Sequence, residues 1–267
     1  MSRVALVTGA SSGIGLATAK TLVDKGYRVL GTTRDPARLA DDVRVPGVEY
    51  VALDLTDPAS IEACAAAVGA VDVLVNNAGE SQFGALEEVP LDAIERLFQT
   101  NVFGAVRLTQ LLVPGMRERG FGRVVMVGSM LGSFPLAFRS SYSASKSAIR
   151  TFATASRHEL SPYGVWLTTV EPGSIATGIS DRRTTYLADG SPYARDYNTV
   201  LNILNGNEAK GISAARVAAT VLTAIEADPP AVLYAVGSRA PLVFTLRRIA
   251  PRGVVEKLIS RAHGLKR

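Results

Sequence analysis

Val4-Ala5-Leu6-Val7-Thr8-Gly9-Ala10-Ser11-Ser12-Gly13-Ile14-Gly15 opens as a short apolar run, turns through three glycines and continues into Leu16, Ala17, Ala19, Leu22 and Val23 at helical spacing. A strand that feeds a helix through glycines lets the backbone turn tightly and approach a pyrophosphate with no Cβ in the way. The helix starting near Gly13 then aims unpaired N–H groups and the positive end of its dipole at the anion. Glycines also occur in plain tight turns, so the weight of the reading rests on the strand before and the helix after.

The pattern outside this stretch extends the same theme. Short apolar runs recur at 4–7, 28–32, 48–52, 71–75, 123–127, 166–170 and 232–236, with helix-like stretches between them. Alternation of this kind predicts βαβ units in a parallel sheet, because parallel neighbours need a crossover helix. The runs are apolar on both faces, as strands covered on each side should be. We therefore expect a Rossmann-type doubly wound α/β fold of about seven strands in one domain spanning 1–267. Leu91, Ala93, Ile94, Leu97 and Phe98, then Val102, Val106, Leu108, Leu111 and Leu112, carry helical periodicity. Pro114 and Gly115 predict an early end or a kink in the second of these helices. The stretch 179–211 is polar and sparsely patterned, and reads as a substrate-loop insertion beside a strand end.

Composition excludes several function classes. A hydrophobic fraction of 47% over 267 residues supports one large core. The apolar runs are strand-length, far below the roughly 20 residues of a membrane helix, and the start shows no signal-peptide pattern; a cytoplasmic protein is expected. Cys64 is the sole cysteine and His158 and His263 lie far apart, so neither a disulfide nor a metal site is expected. The net charge of +5 is concentrated in 239–267, which holds eight Lys/Arg against Glu256 alone, while the rest holds 21 against 23. Nucleic-acid binding would require basic groups on a recognition motif or interleaved with aromatics, and neither is seen.

The order Thr8-Gly9-x-x-x-Gly13-x-Gly15, Asp54, Asn76-Asn77-Ala78-Gly79, Asn101, Ser129, Tyr142-Ser143-Ala144-Ser145-Lys146 and Pro172-Gly173 resembles the short-chain dehydrogenase/reductase family over 4–179. The stretches around Asn101, Ser129, Tyr142 and Glu171-Pro172 look closest to the branch of 17β-hydroxysteroid and retinol dehydrogenases. The resemblance implies a nicotinamide dinucleotide held by Gly9, Ser11, Ser12, Gly13, Ile14 and Gly15. Asp54 would hydrogen-bond the adenine amino group, with Leu55 beside the ring. Asn77, Ala78 and Gly79 would line the adenosine ribose, and Asn76 would stabilise the sheet. Pro172, Gly173, Ile175 and Thr177 would hold the nicotinamide end.

Cofactor choice is read at the end of the second strand, Gly31-Thr32-Thr33-Arg34. An acidic residue there would bond both ribose hydroxyls of NAD; Thr33 occupies the corresponding position. Arg34 can pair with a 2′-phosphate dianion through two parallel hydrogen bonds, which favours NADP over NAD. The competing reading is a solvated Arg34 capped by Asp35.

Tyr142 and Lys146 are four apart in a helical pattern and leave the same face one turn from each other. Tyrosine in water is a poor acid near neutrality; a nearby ammonium and a positive nicotinamide both favour its phenolate. Ser129 follows the fifth strand, outside the carboxyl ends where open α/β folds bind ligands, and its hydroxyl can hold a carbonyl oxygen. By the resemblance, Asn101 holds a water that links Lys146 to solvent; a cap between two helices competes with that role.

Phe83, Met130, Leu131, Phe134, Leu136, Phe138, Ile179, Tyr186, Leu187 and Tyr193 suggest an apolar substrate mouth suited to a ketone or secondary alcohol, with core packing as the competing explanation. After Gly237, Leu242, Leu246 and Ile249, then Val254, Leu258 and Ala262, recur at helical spacing among basic residues. Such a tail packs within an oligomer, folds over the pocket or lies on an anionic membrane surface; we expect the first, in a homodimer or homotetramer. The expected activity is NADP(H)-dependent carbonyl reduction or alcohol oxidation. A hydride-retaining epimerase or dehydratase, or an NADPH sensor without turnover, would share much of the site.

Overall fold

The computed structural model describes residues 2–176, 178 and 182–265. Seven strands, β1 (Val4–Val7), β2 (Arg28–Thr33), β3 (Val48–Ala52), β4 (Val73–Asn76), β6 (Gly122–Val127), β7 (Val165–Pro172) and β11 (Leu233–Val236), form one sheet in the order β11-β7-β6-β4-β1-β2-β3. Every pairing in it is parallel. Four short strands, β5 (Gln82–Gly84), β8 (Ile175–Ala176), β9 (Thr184–Tyr186) and β10 (Ile212–Ser213), pair outside it as β5 with β9 and β8 with β10.

The helices are α1 (Gly13–Asp24), α2 (Pro58–Val68), α3 (Leu91–Phe98), α4 (Gly104–Glu118), the single turn α5 (Met130–Ser133), α6 (Ser140–Leu160), α7 (Ala194–Ala209), α8 (Ala214–Glu226), α9 (Ala240–Ile249) and α10 (Arg252–Ala262). Among the described residues none is long and apolar enough to cross a membrane. Alternation along the strands splits the core in two. Leu6, Leu30, Leu74 and Val124 join α2, α4 and α6 through Ile61, Leu108 and Ile149. Ala5, Val7, Val29, Val73, Val75 and Val125 face α1 and α8 through Leu22, Val217 and Val221. Period-two alternation explains the split, and helices on both sides explain why β4 and β6 are buried throughout.

From β1 the chain winds one way through β2 and β3, and from β4 the other way to β11. The reversal leaves a crevice at the carboxyl ends of β1 and β4, the topological position at which such sheets bind ligands.

Two local expectations are corrected. Of the two alternatives expected at Pro114, the early end does not occur: α4 continues through it to Glu118. Leu112 and Met116, on either side of the proline, are buried, and the carbonyl that Pro114 cannot serve belongs to the exposed Gln110, where water can reach it. The stretch 179–211, read as irregular, contains α7, which buries Tyr197, Val200 and Leu204 at three- and four-residue spacing. Its apolar stripe is narrow and is diluted by Arg195, Asp196 and several asparagines.

Candidate active site

A cavity of about 1200 Å³ occupies the crevice. Its first wall is the turn after β1. Gly9 and Gly13 adopt φ of +66° and +55°, which other residues rarely sustain. A Cβ on Gly9 would press on Ala78 at 3.1 Å, and one on Gly15 would meet the Gly9 carbonyl and lie 2.5 Å from Asn77 Nδ2. Gly15 therefore backs the turn and does not line the cavity, whereas Gly9, Ser11, Ser12, Gly13 and Ile14 do. Ser12 caps α1 without a side-chain hydrogen bond, so the first N–H groups of the helix face the crevice without a side-chain partner.

Thr8 ties this turn to the segment after β4. Its hydroxyl oxygen accepts from Asn77 N at 2.9 Å and Ala78 N at 3.0 Å, while Asn77 Nδ2 donates to Thr8 O at 2.9 Å. Asn76 is buried between the sheet and α4, where its Nδ2 donates to Thr109 Oγ1 at 3.0 Å. Asn77, Ala78 and Gly79 reach the cavity. A Cβ on Gly79 would sit 2.8 Å from Asn101 Oδ1 and 3.6 Å from Lys146 Nζ, so glycine is what lets this segment pass so close to both.

Thr33, Arg34, Asp54 and Leu55 line the adjoining region. Asp35 is directed away from Arg34: its Oδ1 accepts from Ala37 N and Arg38 N, and its Oδ2 lies 3.3 Å from Arg38 Nε. Asp35 therefore caps a turn of its own. Asp54 Oδ1 accepts from the Thr56 hydroxyl at 2.7 Å and the Thr56 N–H at 2.8 Å. The hydroxyl bond chiefly, then the Thr56 N–H, Arg34 and Arg96, holds the Asp54 carboxyl below its ordinary range against the opposing effect of burial.

Ser129 begins α5, where its Oγ accepts from Leu131 N at 3.2 Å. Tyr142 and Lys146, on α6, are each 7% exposed and line the cavity with Ser129. Lys146 Nζ donates to Val127 O at 3.0 Å and stands 5.8 Å from the centre of the Tyr142 ring. A Cβ on Gly132 would meet the Lys146 backbone at 2.9 Å, so this glycine permits the close packing of α5 on α6. Asn101 occupies a π-helical turn, Gln99–Phe103, between α3 and α4. It lies behind the wall and caps neither helix through its side chain. Its Oδ1 accepts from Glu80 N at 2.8 Å, and its Nδ2 donates to Glu80 O and to Ser145 Oγ, both at 3.1 Å.

Pro172, Gly173 and Ile175, expected at the nicotinamide end, line the cavity, while Thr177 and Ile179 lie outside the described residues. Of the expected substrate mouth, Met130, Leu131, Phe134 and Tyr186 line the cavity. Phe83, Leu136 and Phe138 belong instead to a satellite core, where Phe83 packs edge-on against Tyr197 with ring centres 4.7 Å apart. Leu187 is exposed and Tyr193 packs edge-on to Phe138.

The structure brings the amphipathic tail, expected against a partner subunit, to the cavity and adds Arg139, which sequence reasoning passed over. α9 and α10 fold back on their own chain and supply Val243, Leu246, Val255, Leu258 and Ile259 to the cavity wall. Met130, Phe134, Ala240 and Val255 pack together beneath them, and Phe134 meets Phe244 edge-on at 5.0 Å. Arg139 is buried beside Tyr142; it was visible as a lone charge closing the apolar run 134–138. Burial pushes its guanidinium down to about 10.

A family model described as short chain dehydrogenase matches residues 3–187. Dehydrogenase/reductase SDR family member 7B of Bos taurus is 34% identical over 97% of this chain and 81% of its own. A 3-ketodihydrosphingosine reductase of Bacteroides thetaiotaomicron is 30% identical over 91% of this chain and 90% of its own. Among solved structures, a short-chain dehydrogenase from Streptomyces avermitilis superposes with a TM-score of 0.83 at 35% identity, covering 98% of both chains. One from Burkholderia cenocepacia in complex with NADP gives 0.78 at 26%, covering 97% of both. The chain belongs to the short-chain dehydrogenase/reductase family, whose members are oxidoreductases that use a nicotinamide cofactor.

Proposed function

We propose that the protein is an NADP(H)-dependent carbonyl reductase or secondary alcohol dehydrogenase for an apolar ketone or alcohol. The observation that carries this reading is that Ser129, Tyr142 and Lys146 share one cavity with the glycine turn, with Arg34 and with an apolar wall from α9 and α10. A nicotinamide, when bound, supplies or accepts the hydride. The cradle fits it: the turn admits no Cβ at Gly9 or Gly15, and the first N–H groups of α1 face the crevice.

In reduction, Ser129 Oγ holds the substrate oxygen and Tyr142 donates its phenolic proton to that oxygen as charge develops there. Lys146, anchored on Val127 O, places a positive charge near the phenol and favours the phenolate left behind. In oxidation the same phenolate takes the proton back. A relay water beside Lys146 would be held by the main chain of Asn101, since the side-chain amide is already bonded to Glu80 and Ser145.

The preference for NADP rests on Arg34 lining the cavity while Asp35 turns to Arg38. It is supported by the NADP complex of a structural relative. The apolar substrate is supported by the tail helices and by the relative named for a 3-keto sphingoid base. We place the protein in the cytoplasm, as a homodimer or homotetramer, with 182–211 and the tail from Arg239 shaping the substrate end of a single catalytic domain.

The test is consumption of NADPH and NADH against apolar ketones, aldehydes, steroids and retinal, with Tyr142→Phe as control. Turnover lost in the control supports the reading. NADPH binding without turnover on the whole panel would overturn it.

A further inference from the structure

Arg139 is a buried cation that lacks a carboxylate within ion-pair distance among the described residues. The residue is 3% exposed. Its Nη1 donates to Ser81 Oγ at 2.9 Å and to Gln82 O at 2.7 Å, both neutral acceptors, and its Nε has no partner. The guanidinium carbon stands 4.0 Å from the centre of the Tyr142 ring. The preceding Phe138 adopts φ of +63°, a left-handed conformation costly for an aromatic residue. Phe138 O accepts from Gly84 N at 2.9 Å and its ring packs into the Phe83–Tyr197 cluster, so the bend that delivers Arg139 is held from both sides.

A guanidinium on a ring face is attracted by the π cloud, and the attraction grows when the ring carries the negative charge of a phenolate. Burial strengthens that interaction and leaves solvent little part in screening it. We propose that Arg139 is a positioning residue for Tyr142, which fixes the ring and, as a second cation beside Lys146, stabilises its phenolate. This rests on the reading of Tyr142 as the proton donor. The charges that bear on the pair are Lys146 on α6, 5.8 Å from the ring centre, and Arg183 and Glu208, which act on Arg139 with opposite sign. Arg183 and Glu208 are paired with each other, with Nη2 at 2.5 Å from both carboxylate oxygens. That pairing leaves Arg139 and Lys146 as the two cations placed directly against the Tyr142 ring, at 4.0 and 5.8 Å from its centre.

The test is an ultraviolet titration of the phenolate, isolated as the difference between each protein and its Tyr142→Phe counterpart. The backgrounds are wild type, Arg139→Met, Arg139→Gln and Arg139→Lys. Loss of the cation in Met or Gln should raise the Tyr142 midpoint by about one pH unit, a tenfold smaller phenolate fraction at fixed pH on the titration slope. Lys should restore most of the shift. The alkaline limb of ketone reduction should move up in parallel, and alcohol oxidation at neutral pH should slow about tenfold. Gln keeps a donor for Gln82 O and decides the matter if Met fails to fold. An unmoved midpoint in a folded neutral variant overturns the proposal. Turnover that survives Tyr142→Phe overturns the proton-donor reading instead, while the titration still reports whether Arg139 controls the phenol.

Discussion

Ser133 Oγ donates a 2.7 Å hydrogen bond to Glu171 Oε2, while the other oxygen of that fully buried carboxylate has no hydrogen-bond partner. Arg150 reaches the same cluster, with Nη1 2.7 Å from Ser133 Oγ and Nε 4.0 Å from Glu171 Oε1. The group sits at the end of β7, directly before Pro172 and Gly173 of the cavity wall.

Burial pushes the Glu171 carboxyl above its ordinary range, and Ser133, Arg150 and Arg247 only partly oppose this. The folded state then binds more protons than the unfolded state between the ordinary glutamate value and the raised one. This term favours folding most below that window and fades as pH rises through it. Glu171→Gln should remove the dependence, so that its melting temperature gains on wild type as pH rises from the ordinary glutamate range, about 4, through the raised folded-state value. A difference that stays constant across that range would contradict the account.

Tyr142→Phe should reduce turnover by about 10²–10⁴-fold, the usual contribution of a general acid. NADPH affinity, measured by fluorescence titration, should stay within about twofold, because the phenol is asked only to move a proton. A comparable loss in both would make Tyr142 a binding residue.

Arg34→Asp should weaken NADPH binding at least about tenfold more than NADH binding, since a 2′-phosphate loses a charge-assisted partner and gains a repulsive one. Calorimetry with both cofactors checks it. Equal losses would leave Arg34 with a structural role.

Gly15→Ala should disrupt the turn, because the added methyl meets the Gly9 backbone and Asn77, neither of which can yield freely. Overpacking of this kind destabilises by about 1–3 kcal/mol. Chemical denaturation should show that loss together with weakened binding of either nucleotide; unaltered cofactor affinity would place the cradle elsewhere.

Leu246→Ala should raise KM for long apolar ketones about tenfold or more and leave short ones nearly unaffected, as a leucine side chain buried against ligand contributes about 1.5–3 kcal/mol. Equal effects on long and short substrates would separate α9 from the substrate end.

Much of this molecule could be read from local chemistry. The seven apolar runs predict the seven sheet strands to within a few residues, because strands covered on both faces are apolar along most of their length; the edge strand β3, with Glu49 exposed, departs from this. The glycine turn was visible because backbone geometry restricts the residues that fit there, whereas helical spacing showed only that Tyr142 and Lys146 share a face, and it was the resemblance to the family's pattern that singled them out together with Ser129. α7 was not, since its buried stripe of Tyr197, Val200 and Leu204 is interrupted by polar residues that mask the period.

Other features exist only once distant segments meet. Asn101 stands behind the cavity wall because Glu80 and Ser145 claim its amide. Phe83, Leu136 and Phe138 pack on Tyr197, since aromatic side chains fill whichever core lies nearest, and spacing does not say whether that core is a pocket. The amphipathic tail carries one apolar stripe that could serve several partners equally well. Only the position of Met130 and Phe134 at the crevice decides that α9 and α10 close over the site, and only the bend at Phe138 brings the Arg139 charge onto the face of Tyr142.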